Sequence, residues 1–429
     1  MNNQNSDVCS RFDISITLAY DATMIRPYCS QDKDQCLRIL REVGWMEGKE
    51  SDGEAFDGYI SDTNSFVTEL DGEAEVLALT REGNVQYQDC NLPASFVTGV
   101  LTSRVSRMQG HALRTTAHAL AQNAINGAAV SFLGIFDQGY YDKLGYGTLN
   151  YSRHTTIDPA TLNVPKLSRK PKRYTKVDAE ILHNCRLNRR RFHGSCNLYG
   201  VGVTGCELVW VENGFGLGFE EQSELTHCMW LSSKGVHGPY QCRWMAYQNP
   251  EQLVELLSVL KSLSDQIHGV LIDDPPGFQL QDFLIRPFAN ERIRRGGTFD
   301  AATRSSAWMQ CRILDVEQCV GAMTCQGDPV SFNLVLSDPI EAHLLEDSAW
   351  KGVAGSWVIQ LGATSSAIVG EDSALPTLSC SVNDLSRLWF GVASAESLVT
   401  VGQLSAEQGL IGAIDSALHL PSPNIDWCF

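Results

Sequence analysis

Apolar residues recur at helical spacing in several stretches of this 429-residue chain. Leu37, Leu40 and Val43 predict a helix over about 31–43, with Ser30 as N-cap and Gly44 as its stop. Leu113, Ala117, Leu120, Ala121 and Ala124 share one face and predict a helix between Gly110 and Asn126-Gly127. Leu253, Leu256, Leu257, Leu260 and Leu263 predict another, capped by Asn249 with Pro250 at its first position. Two helices close the chain. The second buries Leu410, Ile411, Ile414, Ala417 and Leu418 behind a capping box, Ser405-x-x-Gln408.

Between these lie strand-like runs. Thr23–Pro27 is one. Segments at about 65–70 and 73–79 flank Asp71-Gly72, a hairpin turn signal. A strand at about 84–90 follows Glu82-Gly83, and Asn91-Leu92-Pro93 breaks it before a strand from Ala94 to Thr102. Ala128–Leu133, Leu208–Val211, Arg243–Tyr247, Val270–Ile272, Ser331–Ser337 and Ala354–Leu361 read likewise, and Ala307–Val316 opens the last region. The polar stretch Glu50–Asp57 reads as a loop, and residues 1–20 as a loose arm. A Pro- and Lys/Arg-rich segment at about 160–176, followed by Arg189-Arg190-Arg191, reads as a linker and a solvated helix face.

Length suggests about three domains. Net charge is −17, which argues against a nucleic-acid or anionic-membrane partner and suits a cationic ligand. The 14 cysteines are scattered without a CxxC pair, and the N-terminus lacks the basic and apolar regions of a signal peptide. No run of about 18 apolar residues occurs. A reducing cytoplasm with free thiols is the expected setting.

Chemistry concentrates in Gly99–Gly110. An apolar strand ends there and an amphipathic helix begins, so Arg107-x-x-Gly110-x-Ala112 has the spacing of a pyrophosphate cradle. A glycine admits close approach of a ligand, helix N–H groups point at it, and Arg107 adds a charged fork. Tyr140-Tyr141-Asp142-Lys143-Leu144-Gly145-Tyr146-Gly147 follows about thirty residues on. The aromatic end, Asp426-Trp427-Cys428-Phe429, is too apolar to hang in solvent and is expected to be tucked in. Gly200-x-Gly-x-x-Gly205 matches a dinucleotide fingerprint, but Cys206–Val211 reads as strand, so the required helix is missing. His193-Gly194-Ser195-Cys196 and His227-Cys228 lack a second pair at zinc spacing, so no metal is expected.

These motifs together resemble a GNAT N-acetyltransferase, and from about Thr23 to Phe429 the chain resembles the Eis (enhanced intracellular survival) family of that superfamily. The resemblance implies an α+β chain of tandem GNAT folds, each a mixed twisted sheet with flanking helices, followed by a sterol-carrier-like α/β domain. Its parts would be 1–158, binding acetyl-CoA; 159–300, without a cofactor loop; and 301–429. It implies acetyl-CoA as co-substrate, held by Val100, Thr102, Arg107, Met108, Gly110, His111 and Ala112. It makes Tyr141 the acid that protonates the CoA thiolate. The α-carboxylate of Phe429, the terminal Phe being a family trait, would promote loss of the amine proton. Trp45 and Asp426 would border the acceptor, expected to be a small cationic amine such as an aminoglycoside. The alternatives are a protein lysine acceptor, or a non-catalytic carrier of an apolar ligand. Family members assemble as homo-oligomers, commonly hexamers. They often carry two or three consecutive Arg before the loop glycine, where this chain has Met108 and Gln109.

Overall fold

The computed structural model describes residues 23–48, 52–135, 137, 139–286 and 302–429; the N-terminal arm lies outside them. The fold is mixed α+β, and the described strands form sheets of eight, seven and five. The first sheet runs Met24–Pro27, Asn64–Leu70, Glu73–Tyr87, Cys90–Thr102, Val130–Gly134, Met309–Ile313 and Gly147–Thr148, with Cys196–Leu198 pairing on Glu73–Tyr87. The second runs Ala302–Ser306, Ser152–Ile157, Val270–Asp273, Tyr240–Ala246, Glu224–Ser233, Gly214–Glu221 and Lys172–Tyr174. The third runs Ser366–Val369, Gly355–Leu361, Val330–Ser337, Thr377–Ser381 and Leu404–Ser405. Each of the first two sheets holds one parallel pair that matters below: Cys90–Thr102 with Val130–Gly134, and Tyr240–Ala246 with Val270–Asp273.

Strand membership departs from boundaries at 158 and 300. Ser152–Ile157 already belongs to the second sheet, and Met309–Ile313 returns to the first, between Val130–Gly134 and Gly147–Thr148. The chain's three parts therefore share sheets rather than following one another.

Several local expectations yield to packing. From Asp52 on, the stretch expected to be a loop is helical: a helix spans Asp52–Ile60 and buries Phe56 and Tyr59, while residues 50 and 51 lie outside the described residues. Gly83 does not break a strand. Glu73–Tyr87 runs through it, and a Cβ there would collide with the Asn197 carbonyl of the crossing Cys196–Leu198 strand. Pro93 sits inside Cys90–Thr102, and its carbonyl accepts from the Ala129 N–H. Leu208–Val211 is not a strand; Val201–Trp210 is helical. Ser30 lies within a short 3-10 turn ahead of the Lys33–Glu42 helix, and the Cys29 N–H donates to Asp32 instead (2.9 Å). Ser405 pairs in a strand, so the capping box does not form and Glu407 precedes the Gln408–Ala417 helix. Three helices, not two, close the chain: Val382–Trp389, Ala395–Thr400 and Gln408–Ala417. Of the arginines expected on a solvated face, Arg189 is buried and Arg191 half-buried, while Arg190 is exposed.

The described cysteines are free thiols. Among the described residues no helix is long and apolar enough to cross a membrane.

Burial pushes His118, His183, His193 and His227 below the usual histidine range. The unfolded chain takes up protons at about pH 6.5 while the native histidines resist. Stability present above that pH is lost as pH falls through the window down to the native values. The thermal midpoint at pH 5.5 is expected to lie roughly 2–4 °C or more below that at pH 7.5, with a shallower dependence in His193→Gln. A midpoint flat across this range would contradict the assignment.

Candidate active site

The first sheet splits where its parallel pair diverges. Ala94–Val97 pairs with Val130–Leu133, and pairing stops there. The cause lies in the partner on the other side: the register against Glu73–Tyr87 jumps from Leu79↔Gly99 to Thr80↔Val97, so Thr98 is a bulged residue. Tyr59 Oη donates to the Thr98 carbonyl (2.6 Å) and fixes the bulge. From Gly99 to Thr102, the strand is paired on one side and open on the other. That open edge carries Val100 and Thr102, both half-buried. It offers backbone donors and acceptors to an extended ligand, as an added strand would use them.

The chain then turns through Arg104–Ser106 into the His111–Ile125 helix. Gly110 has φ +81°, in the left-handed region, and a Cβ there would meet nothing within 4 Å. The space above the turn is open. No side chain caps this helix, so its first N–H groups, around His111 and Ala112, are available to an anion. Arg107 is exposed beside them, and Met108, at φ +62°, is fully exposed. Arg107, Met108, Gly110, His111 and Ala112 thus lie at one turn, just past the strand that carries Val100 and Thr102. The buried hydroxyls of Thr98, Ser103 and Ser106 have no protein partner along the same path. Sequence reasoning passed over them because isolated serines and threonines carry no pattern.

Tyr141 opens a short 3-10 turn, Tyr141–Leu144, and is buried. Its ring packs edge-on to Tyr140 (4.9 Å between centroids) in the cluster that includes Val97, Leu113 and Leu133. Burial raises its phenol well above the ordinary value, so it stays protonated. Its hydroxyl has no hydrogen-bond partner among the described residues, whereas Tyr146 is spent on Ser131 (2.7 Å). The C-terminal region holds this turn. Asn383 donates to the carbonyls of Asp142 and Tyr146 (2.9 and 2.8 Å) and Gln310 donates to the Asp142 side chain (2.8 Å). Arg312, in a fully buried pair with Asp338 (2.7 Å), donates to the Leu144 carbonyl.

The chain terminus reaches the same split from the other face. Val97 and Leu133 face the His111–Ile125 helix; Phe96 and Phe132 face away from it. The Phe429 ring packs edge-on to Phe96 (4.8 Å between centroids). Its terminal carbonyl oxygen lies 3.8 Å from where a Cβ on Gly134 would stand, with Trp308 closer still at 3.0 Å. Gly134 and Trp308, neither named from sequence, thus wall the place where the terminus sits; Gly134 was legible only as the residue ending an apolar strand. Trp45 is 42% exposed. Its ring lies 3.6 Å from the Cβ position of Gly99, at the mouth of the split.

Asp426, expected to border the acceptor, is engaged with buried groups of the middle region. Its carboxylate accepts two bonds from buried Arg189 (2.6 and 2.8 Å) and one from the Cys196 N–H (3.1 Å). Through these bonds it anchors the tail. Trp427 is buried next to it, with the Arg186 guanidinium 3.8 Å from its ring centre. Arg189 comes from the run expected to be solvated, and with Arg186 it fixes the residues just before the terminus.

The Gly200–Gly205 run does open a helix after a strand, contrary to expectation, yet its N-terminus is filled. Asp62 accepts from the Gly202 N–H (3.0 Å), and a Cβ on Gly200 would collide with Asp62. His193 uses both ring nitrogens on backbone groups of Gln88 and Phe390, and His227 pairs with Glu255 (2.9 Å). No metal-holding group of three His, Cys, Asp or Glu occurs among the described residues.

No protein-family model matches the chain. An uncharacterized N-acetyltransferase of Streptomyces avermitilis is 24% identical over 357 residues, 79% of this chain and 81% of that protein. Among solved structures, a GCN5-related N-acetyltransferase from Anabaena variabilis superposes with a TM-score of 0.76 at 15% identity, covering 95% of this chain and 100% of the other. Eis1 from Mycobacterium abscessus gives a TM-score of 0.72 at 16% identity, with the same coverages. At these identities the likeness establishes the fold, shared over nearly the whole chain.

Proposed function

We propose that this chain is an acetyl-CoA-dependent N-acetyltransferase that transfers the acetyl group directly to a primary amine. The observation that carries the reading is a terminal carboxylate and a buried, protonated tyrosine flanking one split between parallel strands. The co-substrate supplies an activated thioester. Val100 and Thr102 bind its extended arm through their backbone groups, and the Gly110–Ala112 turn with Arg107 binds its pyrophosphate. The Phe429 carboxylate orients the acceptor ammonium and takes its proton, directly or through water. As the C–N bond forms and the C–S bond breaks, Tyr141 gives its proton to the departing sulfur. Trp45 offers an aromatic wall beside the incoming amine. The aminoglycoside-like class of acceptor rests on the chain's net charge, which is a property of the whole surface and not of this site.

The test is CoA release, followed with a thiol reagent, from acetyl-CoA and a panel of aminoglycosides, polyamines and lysine peptides. Amine-dependent release with one acetyl group per CoA is expected. Release that ignores the amine, or no acetyl-CoA binding at all, would remove the reading.

A further inference from the structure

The second sheet repeats the opening of the first. Tyr240–Ala246 and Val270–Asp273 are parallel, pair only at Tyr240↔Val270 and Gln241↔Leu271, and then separate. A cleft of about 350 Å³ is lined by both strands beyond that point. One wall is the chain's own tail, including Asn424 and Cys428, and Trp308, the residue against Gly134, lies in its lining. The cleft therefore abuts the terminus at the first split.

Its charges do not suit a polycation. Three aspartates line it, and all have partners. Asp426 is held by Arg189 (2.6 Å), Asp273 by His154 (2.6 Å), and Asp274 accepts from the Leu280 N–H (3.3 Å) with Arg153 at 4.0 Å. The remaining arginines of the lining, Arg190 and Arg243, have no carboxylate within 4 Å among the described residues. Arg243 gives only its Nε–H to Ser232 (3.3 Å), and Arg190 lies over the Phe192 ring at 4.7 Å. Trp244 and Tyr247, also in the lining, are only 7% and 4% exposed, and their Nε1 and Oη atoms are buried behind its surface. Arg190 and Arg243 are exposed and line one cleft without a carboxylate partner among the described residues, and two such guanidinium forks suit an acceptor-rich, negatively charged ligand.

We infer that the acceptor of this enzyme is a primary amine that also carries an anionic group, a carboxylate or a phosphate, and that this group docks in the cleft on Arg190 and Arg243. The inference rests on the transfer reading above and deepens it by naming the acceptor's class. Arginine forks match either anion bidentately, and the docked anion would hold the amine toward Trp308 and the terminus.

The experiment uses the full chain and matched probes: L-lysine against cadaverine, and O-phosphoethanolamine against ethanolamine, in the CoA-release assay and by titration calorimetry. The anionic member of at least one pair is expected to be the better acceptor, and which pair responds separates carboxylate from phosphate. Arg190→Met and Arg243→Met are each expected to raise KM for it by about tenfold or more with kcat little changed, and to leave cadaverine and ethanolamine unaffected. A merely structural role would move all four probes together. Equal turnover within both pairs, or a KM indifferent to both variants, overturns the inference and leaves the transfer reading standing. Arginine-dependent binding of an anionic probe with no CoA release from any amine keeps the anion site and overturns the acceptor assignment together with the transfer reading.

Discussion

A chain extended by one glycine after Phe429 is expected to keep its acetyl-CoA affinity and lose about 10²- to 10³-fold in kcat. The extension moves the carboxylate one residue along and puts a neutral amide where it stood. The fold is expected to tolerate it, because the tail is secured upstream. Asp426 is held by Arg189, and Trp427 is buried against Arg186. Truncation would be a poorer experiment, since removing Trp427 discards a buried aromatic worth about 3–5 kcal/mol. The measurements are kcat in the CoA-release assay, acetyl-CoA affinity by calorimetry and the thermal midpoint. Full turnover in an extended chain with an unchanged midpoint would remove the terminal carboxylate from the chemistry.

Tyr141→Phe is expected to lower kcat by about 10²-fold or more, with little change in acetyl-CoA binding or stability. The substitution keeps the ring that packs on Tyr140 and in the cluster of Val97, Leu113 and Leu133, and removes only a hydroxyl that bonds to none of the described residues. No buried partner is orphaned, so a lost rate reports chemistry and not folding. Because burial raises the phenol's pKa, the wild-type rate is expected to show no loss of the acid through about pH 9. Tyr140→Phe is the control: it flanks the same turn and should keep most of the rate. Equal effects of the two substitutions would deny Tyr141 a special role.

The helix Pro250–Ser262 was legible because Asn249 accepts from the Gln252 N–H (2.9 Å), a bond made within four residues. His111–Ile125 was legible because one apolar face recurs at 3.6-residue spacing. Such signals are local, and so was the Gly99–Gly110 turn. The failures were contacts between distant segments. Gly83 read as a break because nothing nearby in sequence announces the Asn197 carbonyl. Ser405-x-x-Gln408 read as a cap because nothing nearby announces that Ser405 pairs across to Ser379. Arg189 read as solvated because its partner, Asp426, is 237 residues away.

By itself, then, the sequence determined the Gly99–Gly110 turn and the helix behind it, the tyrosine on its short turn, and an aromatic tail whose Trp427 is buried. Each follows from backbone preference or side-chain polarity over a few residues. Only the tertiary structure decided that these parts meet. The bulge at Thr98 takes effect because Glu73–Tyr87 lies alongside. The Tyr141 turn is held by Gln310, Arg312 and Asn383 from the last region. The terminus rests on Phe96 because buried arginines of the middle region grip Asp426 and Trp427. Charge at the second cleft was equally beyond the sequence. A net of −17 says nothing about Arg190 and Arg243 left without carboxylates, since pairing depends on distance in space and not on composition.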